Sequence, residues 1–151
     1  MNEDFKSKMD DLLKEHSQAI NENTEIIKKQ KEELEQLIST FEKIRREIII
    51  PTMKEYEQFL KGKGESAHID NNEPYTVKLN VNPSRAGIHG ISGTLSFALV
   101  KEFKHVFVSI IYHPSLTQGQ KSEKIELGKI SKEYVSKLIE EMIESCYSFK
   151  Y

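Results

Sequence analysis

One stretch constrains this chain more than any other. Residues 4–49 contain no glycine and no proline. About 45 residues at about 1.5 Å each make a helix of roughly 70 Å. Along it one apolar column repeats every seven residues: Leu13, Ile20, Ile27, Leu34, Phe41 and Ile48. A second column, Leu12, Ala19 and Ile26, runs beside it. Three positions after members of the first stand His16, Asn23, Gln30, Leu37 and Ile44.

A spacing of seven held this long is the pattern of a helix that pairs with another helix. A lone helix would leave the column exposed to water. The sequence therefore predicts a coiled coil over residues 1–50, with the six residues of the first column as oligomerisation residues. Two strands are favoured over three, as a homodimer. In a parallel pair His16, Asn23 and Gln30 would face their mates and fix the register at some cost in stability.

The helix is expected to end at Ile50-Pro51, because the residue before a proline avoids helical backbone. Thr52 and Glu55 then have the spacing of a capping box. The apolar phase also shifts here, from 41/44/48 to 49/53/56/60. A short second helix over about 53–61 would be closed by Gly62-Lys63-Gly64.

Beyond residue 65 the apolar period changes to two. Residues 66–69 read as an edge strand and Asn71-Asn72-Glu73-Pro74 as a turn. Tyr75, Val77, Leu79 and Val81 alternate with polar residues, the pattern of a half-buried strand. PSRAGIHGISG, residues 83–93, reads as a loop. Strands at 94–103 and 105–113 would form a hairpin turning near 102–104. VFVSIIY in the second of these is apolar on both faces and is expected at the centre of the sheet. LTQGQKSE reads as a surface loop, and 124–127 as a last strand with Ile125 and Leu127 inward. Ser131 would cap a C-terminal helix with the stripe Tyr134, Val135, Leu138, Ile139, Met142, Ile143, Cys146 and Tyr147. The fold class is thus α+β: a long N-terminal coiled-coil helix over 1–50, then a head over 51–151. The head has four to five mostly antiparallel strands packed by a short helix and a C-terminal helix.

Composition narrows the function. Charged residues are 30% of the 151, yet the formal net charge is only −2, which is not the field of a nucleic-acid binder. Apolar runs stay far short of a membrane span. The start, MNEDFKSKMDD, is polar and acidic, unlike a signal or transit peptide. The lone Cys146 has no partner for an internal disulfide. These point to the cytoplasm, and the abundance of Lys, Ile, Glu and Asn to an AT-rich, bacterial genome.

Candidate chemistry is sparse. Gly87, Gly90 and Gly93 form a glycine-rich loop that could hold phosphate through backbone amides. It lacks the Lys-Ser/Thr of a P-loop and leads into a strand. His105 and His113 share a face but lie about 26 Å apart along one strand, too far to share a metal ion. Cys146 sits on an apolar stripe, where a thiol is inert. No catalytic, cofactor-binding or metal-binding residue is assigned, and an enzyme is not expected. The favoured reading is a self-associating scaffold or adaptor whose head docks a protein, with no nucleic acid and no membrane involved. The contacts would come from Arg85, Ile88, His89 and Ile91, a loop at one end of the sheet. The alternatives are an accessory or regulatory subunit of a larger enzyme assembly, or a small-ligand or nucleotide sensor using the loop at 87–93.

Overall fold

The computed structural model describes residues 2–84, 90–113 and 120–148. The chain divides into two units, Met1–Gln36 and Leu37–Tyr151. The division falls well before the expected boundary at 50/51. The reason is that Leu37, Ile38, Phe41, Ile44, Ile48 and Ile49 all belong to the apolar core of the second unit.

The first unit lies within helix α1, Glu3–Ile44. Asn2 caps it: its Oδ1 accepts the N–H of Asp4 at 2.8 Å. Glu3 and Asp4 place negative charge at the positive end of the helix dipole.

In the second unit the helix does not end at Pro51. A π-helical turn, Arg45–Ile49, leads directly into α2, Ile50–Gly62. Proline has no N–H to donate, and its ring clashes with the carbonyl four residues back. A π turn widens the helix by one residue. The N–H of Ile50 accordingly reaches Arg45 O, five residues back. Pro51 then lies in the first turn of α2, where a missing N–H costs nothing. Thr52 does not form the expected capping box. It is buried inside the helix, and its hydroxyl donates to Ile48 O at 2.6 Å. The phase shift visible in the sequence is this extra residue.

α2 ends as predicted. Gly64 takes a positive φ of 79°, Gly64 N–H reaches Lys61 O at 3.0 Å, and Glu65 N–H reaches Leu60 O at 2.9 Å. That pair of bonds is a Schellman closure.

Five antiparallel strands follow: β1 Ser66–Asp70, β2 Thr76–Asn82, β3 Ser92–Val100, β4 His105–His113 and β5 Lys121–Ile125. Their order in the sheet is their order in the chain. The central strand is therefore β3, not the doubly apolar β4. β4 lies next to β3 and turns Phe107 and Ile111 to solvent. β3 also starts and stops earlier than expected, because Lys101 to Lys104 are the turn, with Lys104 at φ 56°.

β5 begins at Lys121, three residues before the expected start. Its polar residues read as loop, yet they pair with β4 and are tied to α3, Lys132–Ser148. Lys121 Nζ lies 3.5 Å from Glu141 Oε2, and the Tyr134 hydroxyl donates to Glu123 Oε1. Ser131 caps α3 as predicted, accepting Tyr134 N–H at 3.1 Å. One main-chain donor of the edge strand β1 is covered from the side: Glu57 Oε2 on α2 accepts the N–H of Ile69 at 3.2 Å.

α2 and α3 pack on one face of the sheet. Val77, Leu79, Val81, Leu95, Phe97, Val106 and Val108 are buried there against Met53, Val135, Leu138, Ile139 and Met142. Each such side chain stabilises by about 1.5–3 kcal/mol when fully buried.

Candidate functional site

The apolar column expected to drive self-association splits in two. In the first unit Leu13 is 56% exposed, Ile20 51%, Ile27 64% and Leu34 37%. Leu12 and Ile26, on the neighbouring column, are exposed as well. In the second unit Phe41 is fully buried and Ile48 packs against the core. Those two are therefore core residues of their own chain, not oligomerisation residues. They keep the spacing of seven because the same helical period serves a sheet as well as a partner helix.

The predicted partner-binding loop is also divided. Arg85, Ile88 and His89 lie outside the described residues. Ile91 is 1% exposed, so it is not the exposed contact that the sequence suggested. Its N–H donates to Cys146 O near the C-terminal end of α3, at 3.0 Å.

Two of the loop's glycines have a packing role. Gly90 has φ 98°, and a Cβ there would come within 2.8 Å of Cys146 O. A Cβ on Gly93 would lie 2.7 Å from Cys146 Sγ and 3.1 Å from Met142 Cγ. Both glycines let the backbone approach α3. Burial pushes the Cys146 thiol up to about 12, so it remains protonated and unreactive near neutral pH.

The other face of the sheet is open and mixed, with Phe107 and Ile111 exposed among polar residues. Lys78, Asn80, Thr94, Ser96, Ser109 and His113 lie across its middle. Their polar groups engage one another: Thr94 Oγ1 donates to Asn80 Oδ1 at 2.8 Å, and Ser92 Oγ to Asn82 Oδ1 at 2.6 Å. Ser92 pairs in register with His113, but its proton is directed to Asn82 rather than to the imidazole, so this is not a nucleophile and base. Among the described residues no three of His, Cys, Asp and Glu converge on a point that could hold a metal ion. No helix of the described residues is long and apolar enough to cross a membrane.

Sequence reasoning missed Arg45. It is 6% exposed, yet it carries a full charge inside the second unit. Its guanidinium donates to Glu42 Oε1 at 3.2 Å, Asn71 O at 3.1 Å, Glu73 O at 3.2 Å and the side-chain oxygen of Asn71. Arg45 thus holds the β1–β2 turn through a planar fork of donors that lysine does not have. No signal in the sequence singles it out from its neighbour Arg46.

No protein family, no curated protein and no solved structure matches this chain.

Proposed function

We propose that this protein is a non-catalytic, self-associating scaffold or adaptor of the bacterial cytoplasm. α1 pairs with its copy on a second chain as a coiled-coil homodimer, and the second unit docks a partner protein. The observation that carries this reading is the exposed set Leu13, Ile20, Ile27 and Leu34, seven residues apart on a helix that buries none of them. Covering one such side chain completely stabilises by about 1.5–3 kcal/mol. Each is only about half exposed, so a pair of chains gains on the order of 1 kcal/mol per residue. That sum is comparable with the roughly 4–15 kcal/mol lost on association. The association is therefore weak and reversible.

Light scattering across a concentration series tests this. The expected result is a mass that climbs from one chain toward two as the concentration rises. A single-chain mass throughout the series, up to about 1 mM, overturns the proposal.

A further inference from the structure

Within the second unit, α2 and α3 meet along a groove. Its floor is Tyr56, Phe59 and Ile143, and its rim is Glu55, Glu140 and Glu144. Phe59 is 60% exposed, so the core makes little use of this large aromatic side chain. The ring already attracts a cation: Lys63 Nζ lies 5.6 Å from its centroid.

The rim charges are placed against the interest of the helix that carries them. Glu140, Glu141 and Glu144 lie in the C-terminal half of α3, whose last turn contains no basic residue. Glu144, four residues from that end, opposes the helix dipole. Glu140 and Glu144, four residues apart, also repel each other. Glu141 is relieved by Lys121 and Glu55 by Lys132 at 3.0 Å. Among the described residues no cation pairs with Glu140 or Glu144. Apolar residues beside two carboxylates that form no ion pair among the described residues are complementary to an apolar stripe edged with positive charge.

We propose that this groove docks an amphipathic helix of a partner protein, with lysine or arginine flanking its apolar stripe. The mode is a helix laid in a groove. The chain's own lysine run, Lys28, Lys29 and Lys31, suits the groove poorly, because Glu25, Glu32, Glu33 and Glu35 surround it and the rim repels them. The inference rests on the reading of the second unit as a docking module, and it names the surface and the chemistry of the partner.

The full-length protein is titrated into a fluorescent peptide of leucine and lysine patterned as an amphipathic helix, with anisotropy as the readout. A matching leucine and glutamate peptide is the control. Saturable binding of the lysine peptide alone is expected. Phe59→Ser, and separately Glu140→Lys with Glu144→Lys, should each weaken it about tenfold. The charge variant should also flatten the dependence on salt. If Phe59→Ser lowers the melting temperature, the charge variant carries the test by itself. The inference falls if the lysine peptide does not bind, if the glutamate peptide binds as tightly, or if the charge variant binds like the parent. Light scattering on the same samples separates the two proposals. A chain that dimerises but ignores the peptide loses the groove and keeps the coiled coil. A monomer that binds the peptide does the reverse.

Discussion

Arg45 is a costly residue to bury, and its surroundings justify it. Taking an unpaired charge out of water costs several kcal/mol, but this guanidinium is met by a carboxylate and by two backbone carbonyls 26 and 28 residues away in sequence. Arg45→Met keeps the apolar stem and removes the donors. Because Asn71 and Glu73 are exposed, water replaces part of what is lost, and the expected destabilisation is about 2 kcal/mol. Urea unfolding should show it as a lower midpoint at unchanged slope. No pattern in the sequence encodes this contact, since its acceptors are main-chain atoms of a distant turn. Cys146 was legible: a thiol on the apolar stripe of α3 had to be buried. It also has a titration consequence. Burial raises the Cys146 thiol and the Tyr147 phenol to about 12, and it raises Tyr112 and Tyr134 as well, the last also beside Glu123. The ordinary values are 9.0 for the thiol and 10.0 for the phenols. Above those values the unfolded chain gives up protons that the folded chain still holds. The stability these groups contribute is therefore complete below about pH 9 and is lost progressively as pH rises toward 12. Melting curves between pH 8 and about 11 should show this fall, and Cys146→Ala should flatten its onset. A melting temperature level across that range refutes the account.

At the scale of elements, what the sequence conveyed well was periodicity. Five strands, three helical segments, the C-terminal end of α2 and the cap of α3 follow from apolar spacing and from Gly64 and Ser131. It conveyed poorly whatever depends on a neighbour. Pro51 reads as a stop from local rules, yet a π turn and the Thr52 hydroxyl carry the helix past it. The start of β5 reads as loop because Lys121 and Glu123 are polar, and α3 supplies their side-chain partners. The glycines at 90 and 93 read as a ligand loop, when the approach of α3 explains them. That approach makes a prediction. Gly93→Ala drives a methyl against Cys146 Sγ and should cost about 1–3 kcal/mol through overpacking. Adding Cys146→Ala removes the obstructing sulfur, so the double variant should be more stable than the sum of the two single changes. Chemical denaturation of the four proteins measures the coupling. Strict additivity would mean that the two positions do not press on each other.

For the whole molecule, the α+β layout was legible because a seven-residue period and a two-residue period rarely mix within one element. The partition between the units was not. Phe41 and Ile48 continue the column in sequence, and only the core of the second unit shows that their own chain covers them. The proposed interface is therefore confined to residues before Leu37. Ile20→Lys with Ile27→Lys should leave a monomer whose thermal transition for the second unit matches the parent's, because neither residue belongs to that core. Phe41→Lys should instead destabilise the second unit itself, by several kcal/mol for a buried charge. The covered donor of β1 has an effect on how these molecules can accumulate. An open sheet border invites further chains to add as extra strands, without limit, toward fibres. With the Glu57 carboxylate on the Ile69 N–H, and Lys61 holding Glu57 at 3.6 Å, one donor of that border is already taken, so a newcomer strand pairs there less readily.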